Sequence, residues 1–201
     1  NKVNREIDIN YIDIMSSLKL EDYYKTDIHI KQTSYENIIK KLSNHLNFKY
    51  KDYKYIKNTY NNFYGSSYSK VPKFIKPDKL EWLTHEYIKS VEVKHFEYDS
   101  NKVYEEQELE GIDPYNIFLK GPSSLIEIEN KSNQSDKELI IFRDSFASSL
   151  VPLLIPYYKK ITLIDLRYMK MDIVNNYVDF DNKEVLFLYS TLIMNNGKTT
   201  L

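Results

Sequence analysis

The chain of 201 residues has no cysteine, which excludes disulfide bonds and thiolate metal sites. Neither sign of charge dominates: 28 Lys and Arg stand against 29 Asp and Glu. No global field therefore draws the protein toward nucleic acid. No run approaches the ~18 consecutive apolar residues of a membrane span. Glycine is scarce, at four residues, and tryptophan occurs once. There are only four histidines, so few side chains qualify as a general base.

Tyrosine, by contrast, occurs 19 times, amid abundant Lys, Asn and Ile. An AT-rich coding sequence produces that bias. Surface Tyr also suits sugar binding, because the ring stacks while the hydroxyl hydrogen-bonds. A hydrophobic share of 42% gives residues 1–201 enough apolar material for one domain with a substantial core.

Ile7, Ile9, Ile12 and Ile14 read as an opening strand. Tyr35, Ile38, Ile39, Leu42 and Leu46 share one helical face, with Thr33 or Ser34 before them as caps. Residues 47–78 are aromatic and basic, broken by Gly65, Pro72 and Pro77, and read as an irregular excursion over the sheet edge. Val91, Val93 and Phe96 suggest a further strand. The second half holds four short branched apolar runs: Leu125–Ile128, Leu139–Phe142, Ile161–Ile164 and Val185–Leu188. Helices fit between them at about 145–158 and 168–178. That alternation predicts an α/β fold whose mainly parallel sheet is covered on both faces. Ligands are then expected at the carboxyl ends of the strands.

The run Leu139–Phe142 leads straight into Arg143, Asp144 and Ser145. A serine there lies at a strand's carboxyl end and in a helix's first turn, where free N–H groups face a developing oxyanion. Asp144 and Ser145 are equally suited to capping the helix. A nucleophilic serine needs a His, and the His an orienting acid. His45, His85 and His95 read as surface or packing residues. His29 lies in a short loop with Asp27 two positions before it, a spacing that lets the carboxylate hold one imidazole tautomer.

The stretch Tyr24-Lys25-Thr26-Asp27-Ile28-His29 resembles the signature of the DHHW family, exported bacterial proteins named for Asp-His-His-Trp. The resemblance continues, in family order, at Phe63–Lys70, Tyr115–Gly121, Arg143–Phe146 and Ile164–Tyr168. It implies an SGNH-hydrolase-like (flavodoxin-like) three-layer fold, related to the SGNH domains of alginate O-acetyltransferases. In that family Asp27 is the orienting acid, His29 the base and Ser145 the nucleophile. Arg167, Gly121 and Asp144 fall near the oxyanion or substrate. Arg167 has a plainer reading too, as an ion pair with Asp165 or Asp144. Two positions depart from the family pattern: Ile28 replaces the first His, and Ile30 replaces the Trp.

The resemblance further implies a serine-dependent esterase or O-acetyltransferase acting on an extracellular or cell-envelope polysaccharide or a small acyl ester. It requires no cofactor, involves no nucleic acid and allows a membrane acyl-donor protein as partner. An extracytoplasmic location is expected, with a leader or anchor and more chain preceding these residues. The competing readings are an inactive carbohydrate-binding or envelope scaffold of the same fold, and a metal-dependent hydrolase using Asp27 and His29. The latter lacks a third and fourth ligand.

Overall fold

A computed structural model describes residues 10–70 and 74–196. Its longer helices are α1 (Glu36–Ser43) and α3 (Phe146–Leu154); α2 (Glu86–Lys89), α4 (Met171–Val174) and α5 (Thr191–Asn196) are short. Strands β1 (Ile56–Phe63) and β2 (Asp78–Thr84) pair antiparallel in a sheet of their own. Five further strands form the main sheet: β3 (Glu92–His95), β4 (Leu125–Glu129), β5 (Glu138–Arg143), β6 (Lys160–Ile164) and β7 (Glu184–Leu188). Their order is β3-β4-β6-β5-β7.

The main sheet is mixed: the expected parallel arrangement is found across β6, β5 and β7, whereas β3, β4 and β6 pair antiparallel. Strand β5 runs parallel to both of its neighbours, β6 and β7. Strand β4 is antiparallel to both β6 and β3. The cause lies in the connections. Residues 130–137, which link β4 to β5, are fewer than the dozen or so that a parallel crossover takes. The segments after β5 and β6 are longer and return the chain in the same direction.

Strand β5 lies between β6 and β7 and is almost wholly buried. Its side chains alternate between two cores, as the period of two requires. Leu139 and Ile141 join Ile126, Ile128, Ile161 and Leu163 against α1 and α3. Ile140 and Phe142 join Leu125, Ile164, Met169 and Val174 on the other face. Such double burial explains why β5 reads as an unbroken apolar run.

A third cluster packs Phe63, Leu80 and Trp82 from the small sheet against Tyr24, Tyr115, Ile117 and Phe118. This sheet went unread in the sequence because β1 is mostly exposed and has no apolar alternation. Pro72 lies outside the described residues, as do Ile7 and Ile9. Ile12 and Ile14 form no strand; they lie in irregular chain and pack against the main core. Phe96 falls just past β3 and is exposed. The helix expected at 168–178 shrinks to the single turn of α4. Among the described residues no helix is long and apolar enough to cross a membrane.

Candidate active site

Strand β5 ends at Arg143, and the next two residues divide the labour at the start of α3. The Asp144 carboxylate is buried and accepts the N–H groups of Phe146 at 3.0 Å and Ser190 at 2.7 Å. It caps the helix and ties down the chain after β7. Ser145 is thereby free of capping, and its Oγ lies 2.8 Å from His29 Nε2. Its backbone N–H donates to no protein acceptor among the described residues. That N–H points from the positive end of the helix dipole.

The loop carrying His29 is closed by a bridge between Tyr23 and Ile30. Within it, one Asp27 oxygen accepts the His29 backbone N–H at 2.9 Å and contacts His29 Nδ1. The other oxygen accepts the Ser66 N–H at 2.8 Å and its hydroxyl at 2.9 Å. Burial alone would raise the Asp27 pKa, but the His29 side chain and backbone and the Ser66 N–H hold it down to about 2. An ionised Asp27 places the proton on Nδ1, so Nε2 is left to accept the Ser145 O–H. Asp27, His29 and Ser145 form one continuous hydrogen-bonded line.

Two further groups fix the imidazole. The Tyr115 ring stacks on it, with centroids 3.7 Å apart and planes 7° apart, and Phe146 adds a tilted contact at 4.9 Å. The Tyr115 hydroxyl is 2.8 Å from Ser149 Oγ, one turn along α3 from Ser145. Burial raises the Tyr115 pKa well above the usual phenol range, so the ring stays neutral.

The small sheet anchors the acid. Asp78, the first residue of β2, accepts the backbone N–H groups of Lys25 and Thr26 at 2.9 and 2.8 Å, and the Thr26 hydroxyl at 2.8 Å. The chain leaving β1 then passes so close to Asp27 that a Cβ on Gly65 would sit 2.2 Å from the Asp27 Cβ. Only glycine fits there, and it delivers Ser66 to the carboxylate.

The other expected site residues are engaged elsewhere. Arg167 forms a bidentate pair with Asp165, Nε to Oδ1 at 2.9 Å and Nη2 to Oδ2 at 2.6 Å, which is its plainer reading. The N–H of Gly121 donates to Phe118 at 3.2 Å. Its φ of +80° closes a turn pressed against Asn116, which a side chain would not permit. Ile28 is exposed beside the triad, whereas Ile30 is buried in the main core, so the position of the family Trp serves packing here. His45 is exposed, and His85 caps α2 through the Tyr87 N–H. His95 ends β3, where burial, reinforced by Arg143, lowers its pKa to about 4.

Sequence reasoning missed four contributors: Ser66, Asp78, Tyr115 and Arg143. Ser66, Tyr115 and Arg143 lie inside stretches that carry the family resemblance, and that is their only signal. Arg143 is fully buried, donates to Ser148 Oγ at 2.9 Å and leaves Nε without a partner among the described residues. It braces α3 from behind Ser145.

No family model and no curated protein matches the sequence. Solved structures do match. A DHHW family protein from Eubacterium siraeum superposes with a TM-score of 0.76 at 20% identity, covering 93% of this chain and 66% of that one. PatB1 of Bacillus cereus gives 0.67 at 22% identity, covering 88% and 66%. The same protein with a sulfonyl adduct gives 0.63 at 23%, covering 84% and 60%. The chain shares the fold of these proteins and spans 60 to 66% of their length. The resemblance read from short motifs thus extends to the fold.

Proposed function

We propose that this chain is a serine-dependent acyl esterase or O-acetyltransferase, built on an SGNH-hydrolase-like fold and acting on an extracellular or cell-envelope polysaccharide. The observation that carries the reading is the 2.8 Å approach of Ser145 Oγ to His29 Nε2, with Asp27 behind the ring. His29 takes the hydroxyl proton as Ser145 Oγ attacks the ester carbonyl, and Asp27 stabilises the imidazolium. The Ser145 N–H donates to the oxyanion, a contribution of ~3 kcal/mol for one such donor. Collapse expels the alcohol, which takes its proton from His29 and leaves an acyl-serine. Water then restores the enzyme and releases the acid; a sugar hydroxyl in its place completes a transfer. In the transferase case a membrane acyl-donor protein supplies the acyl group.

The fold shared with PatB1 adds support, since a sulfonyl group, as in its adduct, is an electrophile of the kind an activated hydroxyl captures. The test is hydrolysis of p-nitrophenyl acetate by the wild type and by His29→Ala, with melting temperatures for both. The proposal expects hydrolysis by the wild type, a loss of about 10³-fold or more in the variant, and a variant that still unfolds cooperatively, at a melting temperature lowered by the lost Tyr115 stack and Asp27 bond. Equal rates in both proteins would overturn it. An inert wild type would favour the scaffold reading.

A further inference from the structure

Beyond the triad, the loops that follow β1 and β6 carry exposed rings with no role in the core. The loop that delivers Ser66 to Asp27 begins with Tyr64, which is 42% exposed and lies against Tyr68 with ring centroids 4.5 Å apart. This loop is well fixed. Gly65 N–H donates to Thr26 Oγ1 at 3.2 Å, Ser67 N–H to the Thr26 carbonyl at 3.0 Å, and Tyr68 N–H to the Gly65 carbonyl at 3.0 Å. Tyr64 is therefore held one residue from the glycine that touches Asp27.

A second ring stands at the end of β6, the strand beside β5, whose end bears Ser145. Tyr168 is 55% exposed, its N–H donates to the Asp165 carbonyl at 3.0 Å, and the Arg167 guanidinium lies over its ring at 5.3 Å. The Asp165 ion pair fixes that guanidinium in turn. Both rings are thus set by backbone and side-chain bonds, yet each keeps roughly half of its surface in water. Core packing accounts for neither.

We infer that Tyr64 and Tyr168 are sugar-stacking platforms for a polysaccharide chain whose ester is presented to Ser145. An aromatic face matches the C–H face of a pyranose, and the phenol and neighbouring guanidinium reach its hydroxyls. A lipid or apolar peptide fits this rim less well, because Ser66, Ser69 and Lys70 beside Tyr64 are exposed and polar. The inference deepens the proposed function and rests on it for the position of the acyl group.

Its test does not require turnover. Ser145→Ala protein is titrated calorimetrically with xylo-, cello- and chito-oligosaccharides, alone and with Tyr64→Ala or Tyr168→Ala added. At least one oligosaccharide should bind, and each added substitution should weaken it about tenfold. Tyr64→Trp should restore binding. No binding by any oligosaccharide, or binding indifferent to both tyrosines, overturns the inference. With O-acetylated forms of the same sugars, wild-type background and the tyrosine variants should differ in KM rather than kcat. Esterase activity without sugar binding leaves the serine chemistry standing and removes the platforms; sugar binding without esterase activity does the reverse.

Discussion

Ser145 Oγ and His29 Nε2 lie 2.8 Å apart across 116 positions of sequence. The meeting is prepared from both sides. Strand β5 and the Asp144 cap present the hydroxyl, while Asp78, Gly65 and Ser66 fix the loop whose Asp27 orients the imidazole.

The neighbours Asp144 and Ser145 should separate stability from chemistry. Ser145→Ala removes no capping bond but loses the bond to His29, and is expected to cost about 1 kcal/mol or less while abolishing ester hydrolysis. Asp144→Ala removes the acceptor of two N–H groups and should cost about 1–2 kcal/mol. Urea denaturation of the two variants beside the wild type checks both.

Acid stability should report on Asp27. Its pKa is about 2 in the folded protein against an ordinary 3.8. A depressed folded value stabilises the protein above the unfolded pKa, and that stabilisation is lost as pH falls through the folded one. The difference is worth about 2 kcal/mol. Unfolding free energy of the wild type should therefore drop between about pH 4 and pH 2, and Asp27→Asn should flatten that drop. At neutral pH the same variant should lose about 10³–10⁴-fold in kcat, since the amide no longer enforces the required tautomer.

Gly65→Ala tests the close approach of the two loops. The added methyl would meet Asp27 Cβ at 2.2 Å and Oδ2 at 2.5 Å, so one loop must move. A loss of ~1–3 kcal/mol is expected, with a fall in kcat larger than Ser66→Ala produces. Retention of full activity and stability would show that the carboxylate does not need its observed position.

Tyr115 should act through its ring. Tyr115→Phe keeps the stack on His29 and loses the hydroxyl bond to Ser149, at a cost of about 1 kcal/mol in stability. Tyr115→Leu loses the stack as well and should lower kcat about tenfold further. Steady-state kinetics with thermal melts of both variants separates the two effects.

Much of this design was legible in the sequence, and the limits follow from physics. Buried strands announce themselves as apolar runs, so β4, β5 and β6 are legible to within a residue at each end, and β7 shows the same run although Val185 and Phe187 are exposed. The parallel run β5, β6, β7 is legible from the helix-length segments between the strands, and the short 130–137 connection carries the antiparallel direction of β4. The β1–β2 pair was missed because an exposed strand such as Ile56–Phe63 needs no apolar alternation. Asp27, His29 and Ser145 stood out by spacing and family motif. Asp78 did not, because a carboxylate that accepts backbone N–H groups looks like any other Asp in sequence. Arg143 lies in a stretch that carries the resemblance, but its burial was not legible, since its partner Ser148 stands on helix α3.

Labelling with a fluorophosphonate probe, read by intact mass and peptide mapping, tests the triad most directly. The account predicts a single adduct, on the peptide containing Ser145, that disappears in Ser145→Ala and is strongly slowed in His29→Ala. An adduct on another residue, or equal labelling rates in the wild type and His29→Ala, would contradict it.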